Sequence, residues 1–165
     1  MEDIEQVNDL KLTPLTHHKD CLVRAKEYGL RYAEAEKWVF EDLGFTVCQG
    51  ERVFLNGENG CGKSSLLKAV LASLSRDREE AFREANLVER GSLETASGLL
   101  VSFVSQDTSF LRGSIRNFCQ ERKLKEHLFF AILRQLDLER GQFEKPMEAY
   151  SEGQKKKVLL AASLL

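Results

Sequence analysis

The sequence is poor in the residues that staple or metallate a small fold, and it has no stretch built for a membrane. Its four cysteines, Cys21, Cys48, Cys61 and Cys119, are far apart and form no C-x-x-C pair. Neither a zinc site nor a disulfide framework is indicated, and they read as reduced thiols. The three histidines, His17, His18 and His127, lack metal-ligand spacing. No apolar run approaches the roughly 20 residues of a membrane helix, and the acidic opening Met1-Glu2-Asp3-Ile4-Glu5 is unlike a signal peptide, so a cytoplasmic location is expected. A charge excess is missing as well. The formal net charge of −2 argues against holding nucleic acid by bulk electrostatics, and no direct DNA binding is expected.

What is present suits a globular domain. With 42% hydrophobic and 30% charged residues over 165 positions, such a chain buries roughly 68–70% of its unfolded surface. Residues 1–20 are polar, with a weak helical pattern at Ile4, Val7 and Leu10, and read as a leader or the end of a linker. From Cys21 the alternation at Leu22, Arg24, Leu30 and Tyr32 predicts strands on a half-buried sheet, continued by Trp38-Val39-Phe40 and Phe45-Thr46-Val47. Gln49-Gly50 is a turn, and Arg52 to Asn56 a short strand.

That short strand enters the central motif, Gly57-Glu58-Asn59-Gly60-Cys61-Gly62-Lys63-Ser64-Ser65, which fits the phosphate-binding pattern G-x-x-x-x-G-K-[ST]. The glycines let backbone N–H groups approach phosphate oxygens. Lys63 brings positive charge to the β- and γ-phosphates, the Ser64 hydroxyl can ligate Mg²⁺, and the following helix points its positive end at the same anion. That helix is predicted from Ser64 to about Leu74, with Leu66, Leu67, Val70, Leu71 and Leu74 on one face. Ser75 to Glu84, rich in Arg and Glu, reads as a solvated helix end or loop. Strands are predicted at Leu87–Leu93 and Leu99–Val104 around a Thr95-Ala96-Ser97-Gly98 turn. Further on, Ser114 caps a short helix through Cys119, Leu124 to Leu136 is helical with Phe129-Phe130 in the core, and a last helix runs from Lys155 to Leu165.

Two weaker signals remain. Gln106 ends a buried-looking strand, where a glutamine can ligate Mg²⁺ or hold a water beside a terminal phosphate, or simply finish the strand as any polar residue does. Tyr150-Ser151-Glu152-Gly153-Gln154 places a hydroxyl and free N–H groups at a helix start, which is an N-cap or a second anion site.

In this order, the phosphate loop, Gln106 and Tyr150 to Ala161 resemble the ATP-binding cassette (ABC) ATPases, whose signature is commonly Leu-Ser-Gly-Gly-Gln. The resemblance covers about residue 21 to the end. It implies an α/β P-loop NTPase fold of ABC type, with an antiparallel β subdomain, an α-helical signature subdomain at about 107–150, and an incomplete C-terminus. It implies ATP and Mg²⁺ as cofactors. Tyr32 matches the adenine-stacking aromatic, with ordinary strand packing as the alternative. Gly57, Asn59, Gly60, Cys61, Gly62, Lys63, Ser64 and Ser65 match the phosphate loop, with Ser64 on Mg²⁺ and Ser65 on the α-phosphate. Gln106 matches the glutamine that joins Mg²⁺ and catalysis, with Lys63 also catalytic. Ser151, Gly153 and Gln154 match the signature that closes over the γ-phosphate held by a partner cassette.

Glu152 replaces the first signature glycine, so its carboxylate is expected to point away from the phosphate or to weaken that contact. Ala162 stands where many transporter cassettes carry arginine. The Ser-Glu-Gly-Gln-Lys-Lys-Lys block and the leader Leu10 to Leu15 look similar to the second cassette of ABC-F proteins, soluble twin-cassette ATPases that act on the ribosome, several in antibiotic resistance. The alternative is the nucleotide-binding subunit of a membrane transporter, partnered by a permease. In the family an apolar strand ending in Asp-Glu follows about a dozen residues later, then a switch histidine; the Asp helps hold Mg²⁺ and the Glu activates the attacking water. Neither is in the chain, so as given it is expected to be a nucleotide-binding fragment of such an ATPase.

Overall fold

The structure, a computed structural model, describes residues 15–165. The helical pattern at Ile4, Val7 and Leu10 and most of the leader lie outside the described residues. The rest divides into two compact units, one ending at Leu100 and one formed by Val101–Leu165.

The first unit is built on a three-stranded antiparallel sheet in the order β2-β1-β3, with β1 at Cys21–Tyr32, β2 at Phe40–Cys48 and β3 at Leu87–Thr95. Along β1 Val23 and Ala25 point inward while Arg24 and Lys26 face solvent. At Glu27, with φ of 46°, both ladders shift register, and the inward set then becomes Tyr28 and Leu30. A bulge of this kind inserts one residue and reverses the parity of a strand. It also dictates Gly91 on β3. That residue has φ of +73°, and a Cβ there would lie 2.1 Å from the Glu27 carbonyl oxygen. The face expected at Leu22, Arg24, Leu30 and Tyr32 is therefore corrected, because one strict period of two does not survive the extra residue.

Helix α1, Lys63–Ser73, packs on this sheet through Leu66, Ala69 and Ala72, with Ser65 and Ser73 also buried. Leu67, expected on the apolar face, is 42% exposed. Ser75 to Glu84 is more ordered than a solvated end: α2, Arg78–Glu84, is capped by Asp77 accepting from the Glu80 N–H, and it buries Phe82. Arg78 grips Glu89 of β3 through both carboxylate oxygens at 2.8 and 2.9 Å and donates to the Leu93 carbonyl. The buried Tyr28 hydroxyl donates to the same carboxylate at 2.9 Å. Burial first, and then this bond, push the Tyr28 phenol above its ordinary range and keep it neutral.

Two predicted strands do not form. Residues 51–58 and 99–105 are not in strand, and Phe54 is 89% exposed. Their β-rich composition supplies propensity, but a strand also needs a neighbour for its N–H and C=O groups, and no described segment pairs with either. Val53 and Leu55 instead line an apolar cavity of about 270 Å³ with Val23, Phe45, Leu66 and Val70.

The second unit is helical: α3 is Ile115–Glu121, α4 Glu126–Gln135 and α5 Glu152–Ser163, with short 3₁₀ turns at Arg140–Gln142 and Met147–Ala149. Ser114 caps α3 by accepting from the Asn117 N–H. Its core gathers Ile115, Phe118, Phe129, Leu133, Met147 and Val158, and Phe129 and Phe130 belong to it as expected. The last helix begins three residues earlier than the periodicity predicts, because Ser151 stops it with a cap. Among the described residues no helix is long and apolar enough to cross a membrane.

Phe129 is fully buried, whereas Leu128 beside it is 39% exposed. Phe129→Ala is expected to cost about 3–5 kcal/mol in urea unfolding and Leu128→Ala less than about 1 kcal/mol.

Candidate functional site

The phosphate loop lies in the first unit. Its chain turns at Glu58 to Cys61, where the Cys61 N–H donates to the Glu58 carbonyl, and reaches Gly62 at φ of 99° in the left-handed region. A Cβ on Gly62 would fall 2.5 Å from the Val39 side chain and 3.0 Å from the Phe40 ring. Only glycine both takes this conformation and fits. Lacking a side chain, Gly62 does not cap α1, so the first N–H groups of the helix have no side-chain acceptor and its positive end is open to an anion. Gly57, Asn59, Gly60 and Cys61 are exposed along this turn.

Lys63 curls over the turn. Its ammonium donates to the carbonyls of Gly57 and Glu58 at 2.7 and 2.8 Å and lies 3.8 Å from Cys61 Sγ. It thereby sits at the mouth of the loop. The Ser64 side chain is exposed at the same helix start, while Ser65 is buried and its hydroxyl lies 2.9 Å from the hydroxyl of Tyr32. The structure thus brings Tyr32, at the end of β1, onto the first turn of α1. The Tyr32 ring is half-buried against the sheet cluster.

Gln106, Ser151, Gly153 and Gln154 lie in the second unit. Ser151 is the N-cap of α5 with a complete capping box: its Oγ accepts from the Gln154 N–H, and Gln154 Oε1 accepts from the Ser151 N–H. The cap uses the Ser151 oxygen as acceptor and leaves its hydroxyl hydrogen for another group. Gly153 is exposed. Gln106 is exposed in an irregular segment, not at the end of a strand, and its backbone carbonyl accepts from Lys156 Nζ at 2.9 Å.

Glu152 is engaged within its own unit, by partners that sequence reasoning did not supply. It accepts from the buried Thr108 hydroxyl at 2.6 Å and from Lys155 at 3.0 Å. The Thr108 bond first, and then the Lys155 bond, hold its carboxyl below the usual glutamate range. The lysine run is spent inside the unit as well: Lys156 donates to the Ser105 and Gln106 carbonyls, and Lys157 to the Asp137 carbonyl. The three-residue spacing of Glu152 and Lys155 was a legible signal for one of these contacts. Thr108 had none.

Two measurements check these contacts. Tyr32→Phe and Ser65→Ala are each expected to cost about 1 kcal/mol of stability, and the double variant no more than either alone, in a double-mutant cycle. Because the folded Glu152 pKa is depressed, its contribution is present above the ordinary glutamate range and is lost as pH falls through the folded value. Glu152→Gln is therefore expected to flatten the acid limb of a Tm against pH profile.

The family model described as ABC transporter matches residues 40–165. ABC transporter protein AbcA of Aeromonas salmonicida is 31% identical over 116 residues, 68% of this chain and 35% of that protein. Energy-coupling factor transporter ATP-binding protein EcfA1 of Mycoplasma capricolum is 25% identical over 96% of this chain and 40% of its own length. ATP-binding protein Uup of Buchnera aphidicola is 23% identical over 66% of this chain and 16% of its own. The chain thus spans well under half of each of these relatives. A match over most of the sequence, on an α/β fold whose glycine-ended turn opens a helix beside Lys63, shows that the chain belongs to the ABC transporter family as an ATP-binding domain.

Proposed function

We propose that this chain binds Mg²⁺-ATP through the loop from Gly57 to Ser65, as one half of a site completed by a second cassette, and that nucleotide binding and hydrolysis drive a conformational change in the parent protein. The open positive end of α1 beside the Lys63 ammonium carries the reading, because it supplies backbone donors and a cation to one anion. Lys63 would turn from the Gly57 and Glu58 carbonyls to the β- and γ-phosphates. Ser64 and Gln106 would ligate Mg²⁺, Gln106 would orient the reacting water, and Ser65 would meet the α-phosphate. Tyr32 would present its ring to adenine. Bound Mg²⁺ supplies charge neutralisation of the phosphates. Ser151, Gly153 and Gln154 would meet the γ-phosphate on the partner cassette, with the unspent Ser151 hydroxyl hydrogen as donor.

Within the family we place the parent with the ABC-F proteins, acting on the ribosome in the cytoplasm as a translation or antibiotic-resistance factor. The support is the block Tyr150 to Lys157, with Glu in the signature and lysines after it. The similarity to EcfA1 across nearly the whole chain supports a second reading, an ATP-binding subunit on a membrane permease.

Lys63→Ala removes a charge-assisted hydrogen-bond donor, so a fluorescent ATP analogue is expected to bind the chain about 10- to 100-fold more weakly. Equal binding by both forms overturns the nucleotide reading. The parent is expected to co-sediment with ribosomes in the presence of a non-hydrolysable ATP analogue. Recovery with a permease instead reverses the order of the two readings.

A further inference from the structure

The segment around Gln106 belongs to no helix or strand among the described residues, yet it is held from both sides. Residues 152 and 156 are one helical turn apart on α5 and project from the same face. Lys156 Nζ donates to the Ser105 and Gln106 carbonyls, each at 2.9 Å, and Glu152 accepts from the Thr108 hydroxyl at 2.6 Å. Thr108 is only 3% exposed, so its hydroxyl depends on a protein partner. Between these grips a local turn closes: the Asp107 N–H donates to Ser105 Oγ and the Ser109 N–H to the Asp107 carboxylate. The Ser105 and Gln106 carbonyls, which have no sheet neighbour among the described residues, receive a lysine ammonium.

We propose that Glu152 and Lys156 are positioning residues for Gln106. They clamp the backbone on either side of the glutamine to the first turns of α5, the same turns that carry the Ser151 capping box. Gln106 and Ser151 then form one rigid piece. On the nucleotide reading above, on which this inference rests for its consequence, the group that meets this chain's own Mg²⁺ and the group that meets the partner's nucleotide move together. The clamp also gives the carboxylate at position 152 a task that a glycine there could not perform. Both residues act through Gln106, and neither is assigned a contact with nucleotide.

The test combines hydrogen exchange with metal dependence on the whole chain, comparing wild type, Lys156→Met, Lys156→Arg and Thr108→Val. Amides from Gln106 to Ser109 are expected to exchange about tenfold faster in Lys156→Met and in Thr108→Val, with α4 and α1 unchanged, which separates loss of the clamp from unfolding. In Lys156→Met the Mg²⁺ concentration for half-maximal retention of ATP is expected to rise about tenfold, while ATP affinity without Mg²⁺ stays within about twofold. Lys156→Arg keeps a cationic donor and is expected to restore much of both. Wild-type exchange around Gln106 in both disabling variants overturns the clamp. Faster exchange with an unaltered Mg²⁺ requirement overturns the positioning role. If wild type and Lys63→Ala both fail to bind ATP, the nucleotide reading falls, and the exchange measurement alone decides whether the clamp exists.

Discussion

Strand β1 is hydrogen-bonded along both of its edges, and the first unit depends on that double ladder. The bulge at Glu27 lets one strand turn Val23 and Ala25, and then Tyr28 and Leu30, into the same core. It also sets where β1 ends, which brings Tyr32 onto Ser65 at the start of α1. The phosphate loop is irregular and exposed, so its position is inherited from the elements around it. Val39 and Phe40, at the start of β2, close off the space behind Gly62 and force the backbone through a conformation that only glycine takes without strain.

The two units keep their polar groups by different means. In the first, ladders satisfy the backbone, and one half-buried cluster joins Tyr28, Glu89 and Arg78. In the second, side chains of α5 reach out to carbonyls and a hydroxyl of segments without ladders. Three consecutive lysines look in sequence like a solvated basic patch. In the fold each has an oxygen partner within the unit.

Family and nucleotide chemistry were legible from residue types at fixed spacing, because a phosphate loop needs glycines, a lysine and a hydroxyl in consecutive positions of one short segment. The cap of α5 was legible for the same reason: Ser151 and Gln154 satisfy each other across three residues, and such local bonds leave a local pattern. Helix α3 was read from its Ser114 cap, and α4 from its periodicity, with Phe129 buried as expected. The strands at Arg52–Asn56 and Leu99–Val104 were read from composition and did not form, since pairing is a property of a neighbour and not of the segment.

The sequence by itself determined the family: a G-x-x-x-x-G-K-[ST] loop followed by a Ser-capped helix start marks an ATP-binding domain of the ABC type. Only the tertiary structure decided where the loop's neighbours lie and how Glu152 and Lys156 are used. Tyr32 and Ser65 are 33 residues apart, Thr108 and Glu152 are 44, and Lys156 and Gln106 are 50. Contacts at such separations depend on how whole elements pack, and no short window of sequence carries that geometry.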